Sequence, residues 1–212
     1  MITQQRLDGL HIKTGATLGQ IAAEATLLDL AAGLIPQALR GLGLSNAAEW
    51  TLTEALQDAD TPVAKALLTV LLVLDAEIHA DTNGDLRVWS LPGFLSYRSR
   101  LSLVDYPLST VRLPPLNPDG HYMFLSFNRA HYLAVRMDIH PRLGVAGHVR
   151  LAISSPVRPP QRLRASEQRL ERQVLDRAII DVAVAAGSEA LSAPLNAVER
   201  AKLTEVLGKL VA

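Results

Sequence analysis

Residues 61–115 read TPVAKALLTVLLVLDAEIHADTNGDLRVWSLPGFLSYRSRLSLVDYPLSTVRLPP, and this stretch decides the fold. Pro62, followed by apolar residues three and four positions apart, predicts a buried helix with proline in its first turn. Residues 74–80 then alternate apolar and polar side chains, as a half-buried strand does. The Asn-Gly pair at 83–84 predicts a tight hairpin turn, because both central positions of that turn favour positive φ. A further strand over 108–115 ends at two prolines.

The residues before this stretch predict a strand and several short helices. The strand is expected over 10–14, and Thr17 is the N-cap candidate of the helix that follows it. Another short helix is expected over 36–44, and the segment 46–60 has a helix-compatible composition. Together with the central stretch these elements form a first lobe, residues 1–114.

The residues after the paired prolines predict a second lobe, residues 115–212, which begins at a cluster of proline, asparagine, aspartate and glycine. Strands are expected at 122–127, 132–139 and 149–154. Prolines at 156, 159 and 160 are expected to stop the sheet there. Helices are expected at 166–170, 173–186 and 196–211, the last opened by a capping box of asparagine and glutamate. This lobe is therefore predicted as a three-stranded antiparallel sheet packed on helices, and the whole chain as α+β.

Four short segments of the chain, taken in order, resemble one family. They are ALL at 66–68, LDAE at 74–77, LPGFL at 91–95 and TVRLPP at 110–115. This series resembles the FAD-binding medium subunit of molybdenum hydroxylases, the enzymes of the xanthine dehydrogenase and carbon monoxide dehydrogenase type. The resemblance implies a PCMH-type FAD-binding lobe, followed by the C-terminal lobe of the carbon monoxide dehydrogenase flavoprotein.

The resemblance also shows which flavin-binding features this sequence departs from. The family's first glycine-rich flavin loop lies in an N-terminal subdomain, so the resemblance implies a chain truncated before residue 1. Its second such loop corresponds to residues 46–60, where this sequence has AAEWTLTEAL at 47–56 and no glycine. Glycines let the backbone approach a pyrophosphate closely, and both loops are expected to be lost. Ser126 stands where the family has lysine.

One family position is retained, in Asp60-Thr61-Pro62. The resemblance implies that Asp60 would hydrogen-bond the ribityl or ribose hydroxyls of FAD if flavin is bound. The alternative is that Asp60 only caps the helix that starts at Thr61.

Composition excludes several classes of function. Lysine plus arginine and aspartate plus glutamate both total 21, so no net field attracts nucleic acid or anionic lipid. The sequence has no cysteine, which excludes a disulfide framework, an iron–sulfur cluster and a cysteine nucleophile in this chain. No apolar run approaches the roughly 20 residues of a membrane span, and the first residues lack a signal-peptide core. A cytoplasmic protein is expected.

No catalytic residue and no metal ligand is predicted. His131, His140 and His148 are the histidines that could meet across the second sheet, but none forms a helical ligand pair, and surface or core positions are favoured. Acidic residues around Gly84 lack the spacing of a calcium loop. No serine lies in a Gly-x-Ser-x-Gly context. The arginines between 158 and 177 alternate with acidic residues at helical spacing, which predicts a solvated or subunit-facing surface.

The leading hypothesis is a degenerate, flavin-free medium subunit that acts as a structural component of a molybdenum-hydroxylase-like complex. The resemblance then implies an iron–sulfur subunit with [2Fe-2S] clusters and a large molybdopterin subunit as partners. The first alternative is an FAD-binding electron-transfer subunit whose flavin site is shortened or shared with a partner. The second alternative is a stand-alone protein that binds a small ligand.

Overall fold

The computed structural model describes residues 2–40, 47–82, 84–101, 106–128 and 130–210. The helices are α1 Leu18–Ala23, α2 Ala25–Asp29, α3 Leu34–Arg40, α4 Leu52–Gln57, α5 Pro62–Val73, α6 Leu91–Tyr97, α7 Arg164–Leu170, α8 Arg177–Glu189 and α9 Ala197–Lys209. The strands are β1 Thr3–Arg6, β2 Gly9–Lys13, β3 Glu77–Thr82, β4 Asp85–Ser90, β5 Leu108–Leu113, β6 His121–Phe127, β7 His131–Ile139, β8 Ala146–Ser155 and β9 Arg158–Arg162.

The strands form two antiparallel sheets that share no strand. The first has five strands in the order β1-β2-β5-β3-β4, and the second has four in the order β6-β7-β8-β9. Residues 114–120 connect them and contain no helix or strand. The α+β class is confirmed. The division into lobes at residue 114 stays a prediction.

Helix α5 lies at the centre of the molecule because it is apolar almost all round. Every residue from Ala64 to Val73 is buried. Thr61 is its N-cap, and its hydroxyl accepts the amide hydrogen of Ala64 at 3.3 Å. The helix packs against α3, α4 and α6 on one side and against β7, β8 and β9 on the other. It therefore connects the first half of the chain to the second sheet.

The second sheet has two covered faces. Tyr132, Ala134 and Ala152 belong to the core built around α5. Side chains of the opposite face, such as Val135 and Leu151, belong to a second core with α7, α8 and α9. Strand alternation thus sends successive side chains into different cores. The predicted packing of this sheet on helices is confirmed.

The second sheet has four strands, one more than the three that were predicted. Strand β9 includes Pro159 and Pro160, which were expected to stop the sheet. It is an edge strand that pairs only with β8, so a residue without an N–H is tolerated there. Strand β1 was also missed, because no element was predicted before residue 10.

Several boundaries differ from the predicted ones for local reasons. Strand β3 begins at Glu77 rather than at residue 74, because Asp75 follows α5 with φ of 52°. Helix α8 begins at Arg177 rather than at residue 173, because Asp176 caps it by accepting the amide hydrogen of Ile179 at 2.8 Å. The C-terminal capping box of Asn196 is confirmed. Asn83 of the predicted turn, and the ends of the predicted helices at 41–44 and 211, lie outside the described residues.

Candidate cofactor site

The first turn of α1 is closed by main-chain carbonyls of a distant segment. The amide of Leu18 donates to Trp50 O at 2.7 Å, and that of Gly19 donates to Ala48 O at 2.9 Å. Thr17, the predicted N-cap, forms a capping box with Gln20. The amides of a helix N-terminus can bind an anion, but here all of those between residues 16 and 20 donate within the chain.

The opposing segment, residues 50–54, lies in the stretch that the resemblance aligns with the second flavin loop. Its amides are also occupied by hydrogen bonds within the chain. Leu52 N donates to Ala16 O and Thr53 N to Thr14 O, both at 2.9 Å. Thr51 and Glu54 form a second capping box at the start of α4. Including Trp50, whose amide donates to a carbonyl three residues earlier, all amides from 50 to 54 donate within the chain.

A carboxylate also lies in this segment. Glu54 Oε2 accepts the Thr51 amide hydrogen at 2.6 Å and lies 2.8 Å from the Thr51 hydroxyl. These hydrogen bonds, first the one from the Thr51 backbone, lower the pKa of the Glu54 carboxyl, so the group is ionised at neutral pH. A pyrophosphate needs free N–H donors and a neutral or positive surrounding. Residues 50–54 offer neither and do not fit one.

Asp60 lies on the surface close to an arginine. Its side chain is 77% exposed, and its Oδ2 lies 3.8 Å from an Arg98 guanidinium nitrogen. The alternative that Asp60 caps α5 is wrong, because Thr61 is the N-cap. Beside this pair is a cleft of about 240 Å³ lined by Gln57, Phe94, Arg98 and Ser99. Ser126, which replaces the family's lysine, is exposed on β6.

A polar seam, formed by Lys65, Thr69 and Asp75 with their partners, attaches α5 to the second sheet, and no sequence pattern predicted it. Lys65 Nζ donates to the carbonyls of Ser155 at 2.9 Å and Pro156 at 3.1 Å. The Thr69 and Ser154 hydroxyls are 2.7 Å apart. Beyond the end of the helix, Asp75 closes the seam.

Asp75 gathers arginines from neighbouring strands of the second sheet. Arg150 Nε lies 2.8 Å from its carboxylate and Arg162 lies 3.0 Å from it, with Arg136 at 3.5 Å. Arg162 also forms a two-point ion pair with Glu167, whose other contact is the amide of Leu151. These partners are far apart in sequence, so spacing alone does not reveal them.

The predicted arginine surface is wrong in part. Arg158 is buried, and its guanidinium lies 2.6 Å from the buried carboxylate of Glu199. Arg162 is mostly buried by its contacts with Asp75 and Glu167. Strand β9 carries both arginines, so helical spacing was the wrong period for this part of the run. Arg164, Arg169, Arg172 and Arg177 are exposed.

The three histidines do not all meet at one point, although His140 and His148 line the same cleft at one end of the second sheet. His148 pairs with Asp138, while His131 lies at the start of β7 beside Phe127. Within the described ranges, no group of three or more histidine, cysteine, aspartate or glutamate side chains is arranged to hold a metal ion. Across that same part of the chain, no helix has the length and apolar character needed to cross a membrane.

Solved structures share this fold over 99% of the chain. A chain of quinoline 2-oxidoreductase from Pseudomonas putida 86 has a TM-score of 0.76 at 16% identity, with 75% of that chain covered. Carbon monoxide dehydrogenase from Hydrogenophaga pseudoflava gives 0.72 at 15% identity, and that from Oligotropha carboxidovorans gives 0.72 at 13%, each with 74% covered. No protein-family model and no curated protein matches the sequence. The chain therefore has the fold of one component of these oxidoreductases.

Proposed function

We propose that this chain is a medium-subunit-type component of a molybdenum-hydroxylase-like oxidoreductase complex, that it holds no flavin of its own, and that its role is structural. The likeness of fold to chains of quinoline 2-oxidoreductase and carbon monoxide dehydrogenases supports the assignment to such a complex. The ordered family segments between residues 66 and 115 support it independently.

The flavin-free part of the proposal rests on one observation. The amides at 16–20 and at 50–54 all donate to atoms of this chain, and the Glu54 carboxylate lies among them. To bind a pyrophosphate there, the chain would have to break several main-chain hydrogen bonds and place phosphate near an ionised carboxylate.

The way in which the two halves of the chain are connected supports the proposed structural role. Helix α5 is buried between α3, α4 and α6 on one side and the second sheet on the other. The contacts of Lys65, Thr69 and Asp75 fix its orientation on that sheet. Such a chain can hold an iron–sulfur subunit and a large molybdopterin subunit in a fixed relation. We propose these two as its partners, with [2Fe-2S] clusters and molybdopterin carried only by them.

An FAD-binding electron-transfer subunit is the second candidate. It is favoured by the retained Asp60, which is exposed beside Arg98 at the cleft lined by Gln57 and Phe94. In that case Asp60 would hold ribityl or ribose hydroxyls, and a partner chain would supply the pyrophosphate donors.

Measurement of flavin in the intact complex tests these candidates. The chain, co-expressed with the iron–sulfur and molybdopterin subunits, is purified by a tag on this chain alone. Flavin is then measured in the denatured supernatant, and iron and molybdenum are measured in the same sample. We expect the metals to co-purify and flavin to stay far below one per chain, both in the parent and in the D60N variant.

Three other results would contradict the proposal. One flavin per chain that D60N removes supports the second candidate, and one that D60N leaves in place shows that the complex binds flavin without Asp60. A chain that purifies alone, without iron or molybdenum, contradicts the complex itself and favours a stand-alone binding protein.

A further inference from the structure

Strand β4 is the most exposed strand that the structure describes. It lies at one end of the first sheet, where only β3 pairs with it, and all of its residues except Trp89 are exposed. Leu86 is 61% exposed and Val88 is 48% exposed, and within the described ranges no other strand exposes a large apolar side chain. Because Trp89 packs against the core around α5, strand alternation places Leu86 and Val88 on the outer face of the sheet.

The other edges of the two sheets are protected in ways that β4 is not. Strand β1 is short and carries only polar side chains, and strand β9 contains two prolines. Strand β6 is mostly half-buried and packs beside α3. Shortness, proline and a covering helix are common means of blocking a sheet edge. Strand β4 has six residues, no proline and an unshifted register with β3, so its edge can accept another strand.

One hydrogen bond shows which main-chain groups of β4 point outward. The amide of Asp81 donates away from β4, to Pro107 O at 3.2 Å. Leu86 lies opposite Asp81, and antiparallel pairs alternate between bonded and non-bonded, so the N–H and C=O of Leu86 and Val88 point away from β3. These groups make no hydrogen bond within the part of the chain that the structure describes. A further antiparallel strand would pair with them.

The charged residues of β4 favour pairing with a second copy of the same strand. Asp85 and Arg87 are exposed on either side of Leu86. Antiparallel pairing of two copies about Leu86 places Asp85 of each copy opposite Arg87 of the other, which gives two cross-strand ion pairs. Pairing about Arg87 would place two guanidinium groups together, and pairing about Val88 would place Asp85 opposite Leu91, where α6 begins. Charge and the position of α6 therefore select the register about Leu86.

We propose that two copies of this chain associate through β4, with the two-fold axis at Leu86, so that two five-stranded sheets become one continuous sheet. The N–H and C=O of Leu86 exchange hydrogen bonds with those of Leu86 in the second copy. The Leu86 and Val88 side chains of both copies form one apolar strip on the outer face. A contact of this symmetric kind is complete with two copies, so it gives a dimer and not a fibre.

This association does not depend on the proposed function. It involves neither the amides at 16–20 and 50–54 nor the polar seam. The chain has a formal net charge of zero, so no long-range repulsion opposes the approach of a second copy.

Cysteine cross-linking tests the register, and the chain is suited to it because it has no cysteine of its own. The L86C variant of the full chain, with its partners where these co-purify, is oxidised mildly and separated on a non-reducing gel. The Cα atoms of a hydrogen-bonded antiparallel pair are about 5.5 Å apart, a distance that a disulfide spans. We expect L86C to form a disulfide dimer at least about tenfold faster than V88C, because Val88 lies opposite Gly84 in this register.

Charge variants test the association itself, by sedimentation velocity over a range of concentrations. The D85R variant places an arginine opposite Arg87 of the second copy and is expected to raise the dimer dissociation constant by about tenfold or more. The D85R/R87D variant restores opposite charges in the same register and should recover the parent value. The control D119R makes the same change of charge at an exposed aspartate outside β4 and should leave the dissociation constant unchanged.

Four outcomes would overturn the proposal. The first is a parent chain that has one copy per particle at every concentration, alone or with its partners. The second is a dimer that D85R and D119R weaken equally, which would show a general effect of charge. The third is a D85R/R87D variant that associates as weakly as D85R, and the fourth is a V88C variant that cross-links as fast as L86C.

Discussion

The buried ionisable groups of the two sheets differ in their charge state. On the first sheet the buried groups are the imidazoles of His11 and His79, whose ring centroids are 5.6 Å apart. Burial lowers the pKa of His79, and the nearby charges of His11 and Arg112 lower it further, although Glu77 acts in the opposite direction. His79 is therefore neutral at pH 7. Neutral imidazoles avoid most of the cost of burying charge.

The second sheet buries its groups in charged form. Arg158 and Glu199 have side chains that are only 5% and 2% exposed, and they form an ion pair at 2.6 Å. Burial lowers the pKa of Arg162, but the hydrogen bonds and charge of Glu167, with the charge of Asp75, raise it above its ordinary value. Charges in an interior persist only when each has a partner. The second sheet therefore contains an ion pair between two fully buried side chains, whereas the ion pair of the first sheet, Arg112 with Glu77, is only partly buried.

The largest effect is expected from breaking the most buried pair. The R158M variant leaves the Glu199 carboxylate without its cation, which should lower the free energy of unfolding by about 3–5 kcal/mol, as measured in urea. The matched variant R177Q removes an exposed arginine from a surface pair and should change it by less than about 0.5 kcal/mol.

The double variant R158M/E199M completes this test. It removes both charges and should recover most of the loss, except for about 1 kcal/mol because Glu199 also closes the capping box of α9. A loss in R158M no larger than that in R177Q would mean that the second sheet does not rely on buried charge.

A smaller loss of stability is expected from a change at Asp75, where the polar seam ends beyond α5. The D75N variant keeps a residue type that tolerates φ of 52°, but it removes the charge that holds Arg150 and Arg162. Because the Asp75 side chain is 29% exposed, water offsets part of the cost, and a loss of about 2 kcal/mol in unfolding free energy is expected. The D119N variant, which changes an exposed aspartate, is the control. An equal change in the free energy of unfolding of both variants would show that the ion pairs of Asp75 do not stabilise the fold.

The sequence predicted what depends on local spacing. Periodicity gave α5, and residue type gave the Thr17 and Asn196 caps, because each involves atoms within four residues. The resemblance implies that a flavin loop is lost in residues 46–60, and this stays a prediction. The hydrogen bonds that join this segment to residues 14–19 connect parts of the chain that are far apart in sequence, so spacing could not predict them. Asp60 stays an untested prediction.

What the sequence missed depends on contacts between distant strands and helices. The pairing of Arg158 with Glu199 spans 41 residues, and the bonds of Asp75 span 75 and 87 residues. No periodic pattern encodes such pairs. Strand β9 was missed for a related reason, since only its place at the sheet edge makes its prolines acceptable.

The smallest effect is expected from pH at the first sheet. Because burial lowers the pKa of His79 below the ordinary value of about 6.5, the unfolded chain takes up its proton at a higher pH than the folded chain does. The stability contributed by neutral His79 is fully present above about pH 6.5 and is lost as pH falls through the folded pKa. Urea unfolding of the parent and of an H79N variant across this range should therefore give curves that converge at low pH. His79 is flanked by His11, Glu77 and Arg112, which titrate or carry charge in both proteins, so only the difference between the curves reports on His79. A difference that grows on acidification would mean that the first sheet, like the second, stabilises a buried charge.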